Sequence, residues 1–166
     1  MKEIKMKICG VTLDNALFNP VIVLKSSNGK VFPVPIGSYD KNSIVGAFVH
    51  KKPIHSEIVA ELLKTTGFKV KKVLLYKNNL KKAVAKVFLT GTKEKVFELS
   101  ATAGILLCLE TGKDILVSDD LFKDSSFYRN KLDEKKMMSD FERMFFDSMG
   151  SHDINDIVFP WKDTIQ

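Results

Sequence analysis

The pair Asn28-Gly29 constrains this chain more than any other short feature. It stands between two runs rich in β-branched residues, 21–25 and 31–36. Asn and Gly accept the positive φ that tight hairpin turns require, so the two runs are predicted to pair antiparallel. A lone hairpin cannot bury its own apolar face and needs more strands or a helix layer. The sequence supplies both. Five further strand-like runs lie at 5–14, 69–77, 81–89, 95–99 and 115–118, and Asn78-Asn79 and Thr90-Gly91-Thr92 separate three of them.

Helical patterning fills the intervals. A helix is predicted over 42–49, with Ser38 or Asp40 able to cap it. A second is predicted over 57–66, with Ile58, Val59, Leu62 and Leu63 on one face, Ser56 as N-cap and Gly67 just past the end. A third covers 101–111, with Ile105, Leu106 and Leu109 inward, Ser100 as N-cap and Gly112 as terminator. A fourth covers 134–149 and stops at Gly150. The order βββαα then βββαβ reads as two βββα-like halves sharing one sheet. The fold class expected is α+β: a single mixed β-sheet of about seven strands flanked by helices, plus a C-terminal helical extension. Residues 1–122 form the domain, and residues 123–166 the extension, packed on the domain or on a partner subunit.

At 166 residues, 45% of them hydrophobic, the chain can bury a core without disulfide or metal support. Cys9 and Cys108 both sit in apolar runs and match neither a C-x-x-C nor a zinc spacing, so both are expected as buried thiols. The opening Met1-Lys2-Glu3-Ile4-Lys5 has no apolar signal segment, and no run of about 18 apolar residues occurs. The expectation is a cytoplasmic protein with no membrane contact.

Charge is distributed unevenly. Residues 1–100 hold 18 Lys against 7 acids, a balance of +11, while residues 101–166 hold 6 Lys and 2 Arg against 13 acids, a balance of −5. A basic body attracts polyanions. Lys69, Lys71, Lys72, Lys81 and Lys82 are the residues expected to meet nucleic acid, and with Lys77, Lys86, Lys93 and Lys95 they would form a basic plate on three adjacent strands. Only Tyr76 and Phe88 are interleaved with them, too few for a base-stacking platform. A wholly solvated Lys-rich surface is the other reading of the same residues.

The candidate catalytic cluster is Asp40, His55, Glu57 and Glu98, each at a strand-to-helix junction or helix start. Backbone N–H groups are free at such places and favour anions. Asp40 and Glu57 could hold Mg²⁺ or Mn²⁺, and His55 could move a proton. Acids near helix starts also serve simply as caps and dipole partners. Asp119, Asp120 and Asp124 form a second acidic group that reads as a solvated turn. No phosphate-binding glycine loop, nucleophile elbow or metalloprotease motif is present.

Asn19-Pro20-Val21-Ile22-Val23-Leu24, followed by Phe32-Pro33-Val34-Pro35-Ile36-Gly37, resembles the opening of the bifunctional nuclease (BFN) domain. Asp40 stands where that family usually has Glu. Pro53-Ile54-His55-Ser56-Glu57-Ile58 matches the family block Pro-x-Thr-His-Asp-Leu, with His at the Thr position and Ser at the His position. Glu98-Leu99-Ser100-Ala101-Thr102-Ala103-Gly104-Ile105 stands at the block Asp-x-Arg-Pro-Ser-Asp-Ala-Ile, without its Arg, its Pro or its second Asp. The family rhythm resumes through Leu106-Leu107 and Ile115–Ser118, so the resemblance covers about residues 5–122. It implies a mixed sheet with flanking helices, frequent oligomerisation and cleavage of DNA or RNA, and with the carboxylates above the expected reaction is metal-dependent phosphodiester hydrolysis. The competing expectation is a catalytically inactive domain that binds nucleic acid or protein. The last helix carries Met137, Met138, Phe141, Met144, Phe145 and Met149, with Phe146 beside them and Trp161 beyond. This surplus of apolar side chains predicts a homo-oligomer joined through the extension.

Overall fold

The computed structural model describes residues 2–13, 20–36, 56–122, 139–140 and 143–144. Its strands are β1 (Glu3–Leu13), β2 (Pro20–Ser26), β3 (Val31–Pro35), β4 (Lys69–Lys77), β5 (Ala83–Thr90), β6 (Lys95–Ser100) and β7 (Ile115–Ser118). The helices are α1 (Ser56–Thr66) and α2 (Ala101–Thr111), and a 3-10 turn, Asp119–Phe122, follows β7. The mixed seven-stranded sheet of the α+β reading is therefore present. The expected helix at 42–49, and all but a few residues of the one at 134–149, lie outside the described residues.

The strand order is β3-β2-β1-β7-β4-β5-β6. Each half is an antiparallel meander, and the last strand, β7, is inserted between the two. It runs antiparallel to β1 and parallel to β4. Because β6, β4 and β7 run the same way, the chain must cross the sheet to get from edge to centre, and α2 makes that crossing. Ser100 Oγ accepts from the Ala103 N–H at 3.1 Å and caps α2, as its sequence position suggests. Gly112 ends the helix at φ +62°, its N–H donating to the Cys108 carbonyl.

The β2–β3 and β4–β5 hairpins use the same turn. In the first, the Gly29 N–H donates to the Ser26 carbonyl at 3.0 Å and the Ser26 N–H to the Lys30 carbonyl at 2.8 Å. Gly29 has φ +82° while Asn28 stays at negative φ. This is a three-residue loop with its left-handed residue last, not a two-residue turn. In the second, Lys81 takes the left-handed place at φ +59°, and the Asn78 side chain accepts from the Leu80 and Lys82 N–H groups at 3.0 Å each.

Residues opposite one another across strands share a face, which sorts the sheet into rows. Phe97, Val87, Val73, Ile115 and Met6 form one row, and Leu99, Ala85, Leu75, Val117 and Ile4 the next. These rows face the helices. A Cβ placed on Gly104 of α2 would meet Ala85 Cβ at 2.2 Å and Val73 Cγ1 at 3.3 Å. Val73, Leu75, Ala85, Val87, Ile105 and Val117 are buried there in one continuous core. Full burial stabilises a Val or Leu side chain by about 1.5–3 kcal/mol. Two details differ from the helical-face reading. Leu62 is 60% exposed and Leu109 is 38% exposed, while Cys108 is buried in α2. α2 presents a narrower stripe to the sheet than its apolar content suggests, because it sits too close to β5 at Gly104 for wide side chains between them.

Of the extension, Met144 is buried in this same core, and Thr12 Oγ1 donates to Asp140 Oδ2 at 2.6 Å. That turn therefore docks on the chain's own β1 region. Phe141, Phe145, Phe146 and Trp161 lie outside the described residues. No helix among the described residues is long and apolar enough to cross a membrane.

Cys9 and Cys108 are both buried and neither forms a disulfide. Burial first, and then the nearby Asp114 carboxylate, push the Cys108 thiol up to about 12 from its ordinary 9.0. The folded state thus favours the protonated thiol. Its contribution to stability is complete below pH 9 and is lost as pH rises through about 12. Both thiols should resist alkylation at pH 8 until the protein is denatured. The alkaline fall in stability should be shallower in Cys108→Ala, as read by urea titration across that range.

Candidate nucleic-acid interface

The face of the sheet turned away from the helices has a different chemistry. One row runs Lys72, Phe88, Val96; the next runs Glu98, Lys86, Leu74, Leu116, Lys5; a third pairs Tyr76 with Val84. Lysine and aromatic residues thus alternate across β4 and β5. The Lys86 ammonium stands 4.8 Å from the Tyr76 ring centroid, and that of Lys72 stands 5.3 Å from the Phe88 centroid. These are cation–π distances. Each long side chain lies along an apolar neighbour and keeps its charge at the surface.

A bulge decides which lysines share this face. The β4–β5 register shifts between Val70 and Lys72, leaving Lys71 as the extra residue. Lys69 is opposite Thr90 and Lys72 opposite Phe88, so both project outward although they are three apart in sequence. Without the bulge, strict alternation would set them on opposite faces.

The five lysines expected to bind nucleic acid fall into two groups. Lys69, Lys71 and Lys72 occupy the first half of β4, whereas Lys81 and Lys82 lie in the turn beyond its far end. At a strand rise of about 3.3 Å per residue the groups stand roughly 25 Å apart. They also differ in company. Lys71 Nζ is 2.8 Å from Glu94 Oε1, and Lys72 pairs with Glu3. The Lys71 ammonium, by hydrogen bond and by charge, holds the exposed Glu94 carboxyl below its ordinary range. Lys69, Lys81 and Lys82 are exposed, with no ion pair among the described residues. Lys95 covers the Phe68 ring at 4.9 Å, an arrangement that spacing along the sequence did not reveal.

Of the proposed catalytic cluster, only Glu98 has a described side chain. Asp40 and His55 lie outside the described residues, and of Glu57 only the backbone is described, in the first turn of α1. Glu98 is exposed on the outer edge strand, directly opposite Lys86. Among the described residues no three His, Cys, Asp or Glu side chains gather in a way that could hold a metal ion. Asp119, from the second acidic group, pairs with Lys30 at 3.2 Å, and Asp124 lies outside the described residues. At the junction of β6 and α2, Ser100, Ala101 and Ala103 stand where the resembled pattern has Arg, Pro and Asp. The junction is closed by the Ser100 cap, without any charged group from those three positions.

No curated protein matches the chain. The family model described as the bifunctional nuclease domain matches residues 22–130, which takes in β2 through β7 and the 3-10 turn. β1 precedes the matched span, yet it lies inside the sheet and contributes Met6, Ile8 and Val11 to the core. With the match covering well over half of the 166 residues, the chain belongs to the bifunctional nuclease domain family.

Proposed function

We propose that this chain binds the phosphate backbone of DNA or RNA without base specificity, through the outer face of β4–β6 and the β4–β5 turn. The observation that carries this reading is the sidedness of the sheet. The helix face is apolar across its centre, where Val73, Leu75, Ala85, Val87 and Val117 are buried, while the outer face sets Lys69, Lys72 and Lys86 among half-buried aromatic residues. Membership in a nuclease-domain family gives such a face an obvious polyanion. Lysines without base-directed arginine forks favour affinity over sequence discrimination.

Phosphodiester hydrolysis is the further part of the proposal. Asp40, His55, Glu57 and Glu98 all fall within the family match, and they are the residues that would carry it. Asp40 and Glu57 would hold Mg²⁺ or Mn²⁺, which would supply charge neutralisation at the phosphate, and His55 would move a proton. Glu98 fits a cation poorly, because Lys86 already stands opposite it. Binding without cleavage is the second reading, favoured by Ser100, Ala101 and Ala103 in place of the charged family block.

One experiment separates the two. Labelled single- and double-stranded DNA and RNA are titrated with protein over 50–300 mM salt and then assayed for cleavage with Mg²⁺, Mn²⁺ or EDTA. Hydrolysis predicts divalent-dependent cleavage that falls on the order of 10²-fold or more in Asp40→Ala/Glu57→Ala. Salt-dependent binding with no cleavage under any condition leaves the binding reading alone standing. Binding that is absent or insensitive to salt would sink both.

A further inference from the structure

The two edges of the sheet are built differently. β3 closes one edge with the sequence Val-Phe-Pro-Val-Pro, in which Pro33 and Pro35 lack N–H donors. Prolines at alternate positions remove the donors that another strand would need, a standard protection of an edge. β6 closes the other edge and has no such device. It contains no proline, and its pairing with β5 is continuous from Ser100 to Lys95 without a bulge. Among the described residues its outer rim therefore presents a regular row of unpaired backbone groups. It also exposes an apolar side chain on each face, Val96 at 53% and Phe97 at 40%, beside the charged Glu98 and Lys95.

We infer that β6 pairs with β6 of a second copy of this chain, antiparallel, about a two-fold axis at Phe97. The register follows from charge. A two-fold axis normal to the sheet keeps each face on the same side, so opposite residues must be an even number of positions apart. An axis at Val96 would set Glu94 against Glu98 of the other copy, and an axis at Glu98 would set that carboxylate against itself. Like charges directly opposite are destabilising. An axis at Phe97 avoids both. Phe97 meets its own copy, Val96 meets Glu98, and Lys95 meets Leu99. Glu98 is already neighboured by Lys86, and Lys95 by the Phe68 ring, so neither charge is left uncompensated in the seam. The result is one continuous sheet of fourteen strands, with each open rim satisfied by the other.

This dimer stands independently of the nucleic-acid reading. If that reading also holds, the axis places both lysine-bearing outer faces on the same side. At about 4.8 Å per strand the two β4 strands then lie roughly 24 Å apart.

Sedimentation of the full chain at tens of micromolar should give twice the 18.7 kDa chain mass. Phe97→Glu, which sets two carboxylates on the axis, should reduce it to one chain mass with the circular dichroism spectrum unchanged. Phe97→Cys tests the register, because a thiol on the axis lies opposite itself within disulfide reach. Mild oxidation should convert most of it to a covalent dimer, and Val96→Cys and Glu98→Cys should cross-link at least tenfold more slowly. The buried Cys9 and Cys108 do not compete. A monomeric wild-type chain would overturn the proposal. So would a dimer that Phe97→Glu leaves intact, or equal cross-linking at all three positions.

Discussion

Gly104→Ala is expected to destabilise the domain by about 3 kcal/mol, the cost of overpacking a tight core contact. Propensity alone argues the other way, since alanine in a helix interior is favoured over glycine by about 1 kcal/mol. Sterics decide the sign. A Cβ on Gly104 would stand 2.2 Å from the Ala85 Cβ, a distance that two carbon atoms cannot share. Ala85 is fully buried on β5, with Leu75 on one side and Leu99 on the other, so it cannot yield without moving the strand. The added methyl must therefore lift α2 from the sheet, loosening Ile105 and Cys108 as well. Ala85→Gly should recover much of the loss in the double variant, because it removes the other partner of the clash. Urea unfolding of the four proteins checks this. A Gly104→Ala variant as stable as wild type would mean that α2 does not approach β5 so closely.

Reversal of Lys69, Lys81 and Lys82 to glutamate should lower affinity for double-stranded DNA by roughly 10²–10³-fold at 0.1 M salt. It should also reduce the slope of log K against log salt by about 3. These three are the predicted contacts with no carboxylate partner among the described residues. Each is exposed, so the folded state should tolerate the change. Lys71 offers the contrast. Its ammonium already meets Glu94, so Lys71→Gln/Glu94→Gln removes a neutral pair and should alter affinity by less than about twofold. Fluorescence anisotropy across a salt series distinguishes the outcomes. An unchanged salt slope in the triple variant would place the polyanion on some other surface.

Strand and helix identity were legible because local chemistry decides them. β4 and β7 span the residues expected from their apolar runs, and α2 runs from the residue after Ser100 to the residue before Gly112, as capping rules require. The candidate site was legible as a set of lysines, but not as a surface. Which of them share a face depends on the bulge at Lys71, where the sequence Lys69-Val70-Lys71-Lys72-Val73 breaks alternation with a lysine doublet but does not say which lysine is the extra residue. Likewise Lys71 and Lys72 are drawn to Glu94 and Glu3, partners supplied by the loop before β6 and by β1. The helical faces were read too broadly. Leu109 is as apolar as its neighbours, but the close seat of α2 on Ala85 limits how many of its residues can turn inward, and Leu62 of α1 is likewise exposed. Strand order was the least accessible feature. Nothing local says that β7, the last strand in the chain, lies between β1 and β4, since that choice is made by side chains far apart in sequence burying one another. Local sequence sets what each segment is, because turns, caps and periodicity act over a few residues. Tertiary structure alone decides neighbours, faces and edges, because these depend on pairing and burial between residues brought together only when the chain has folded.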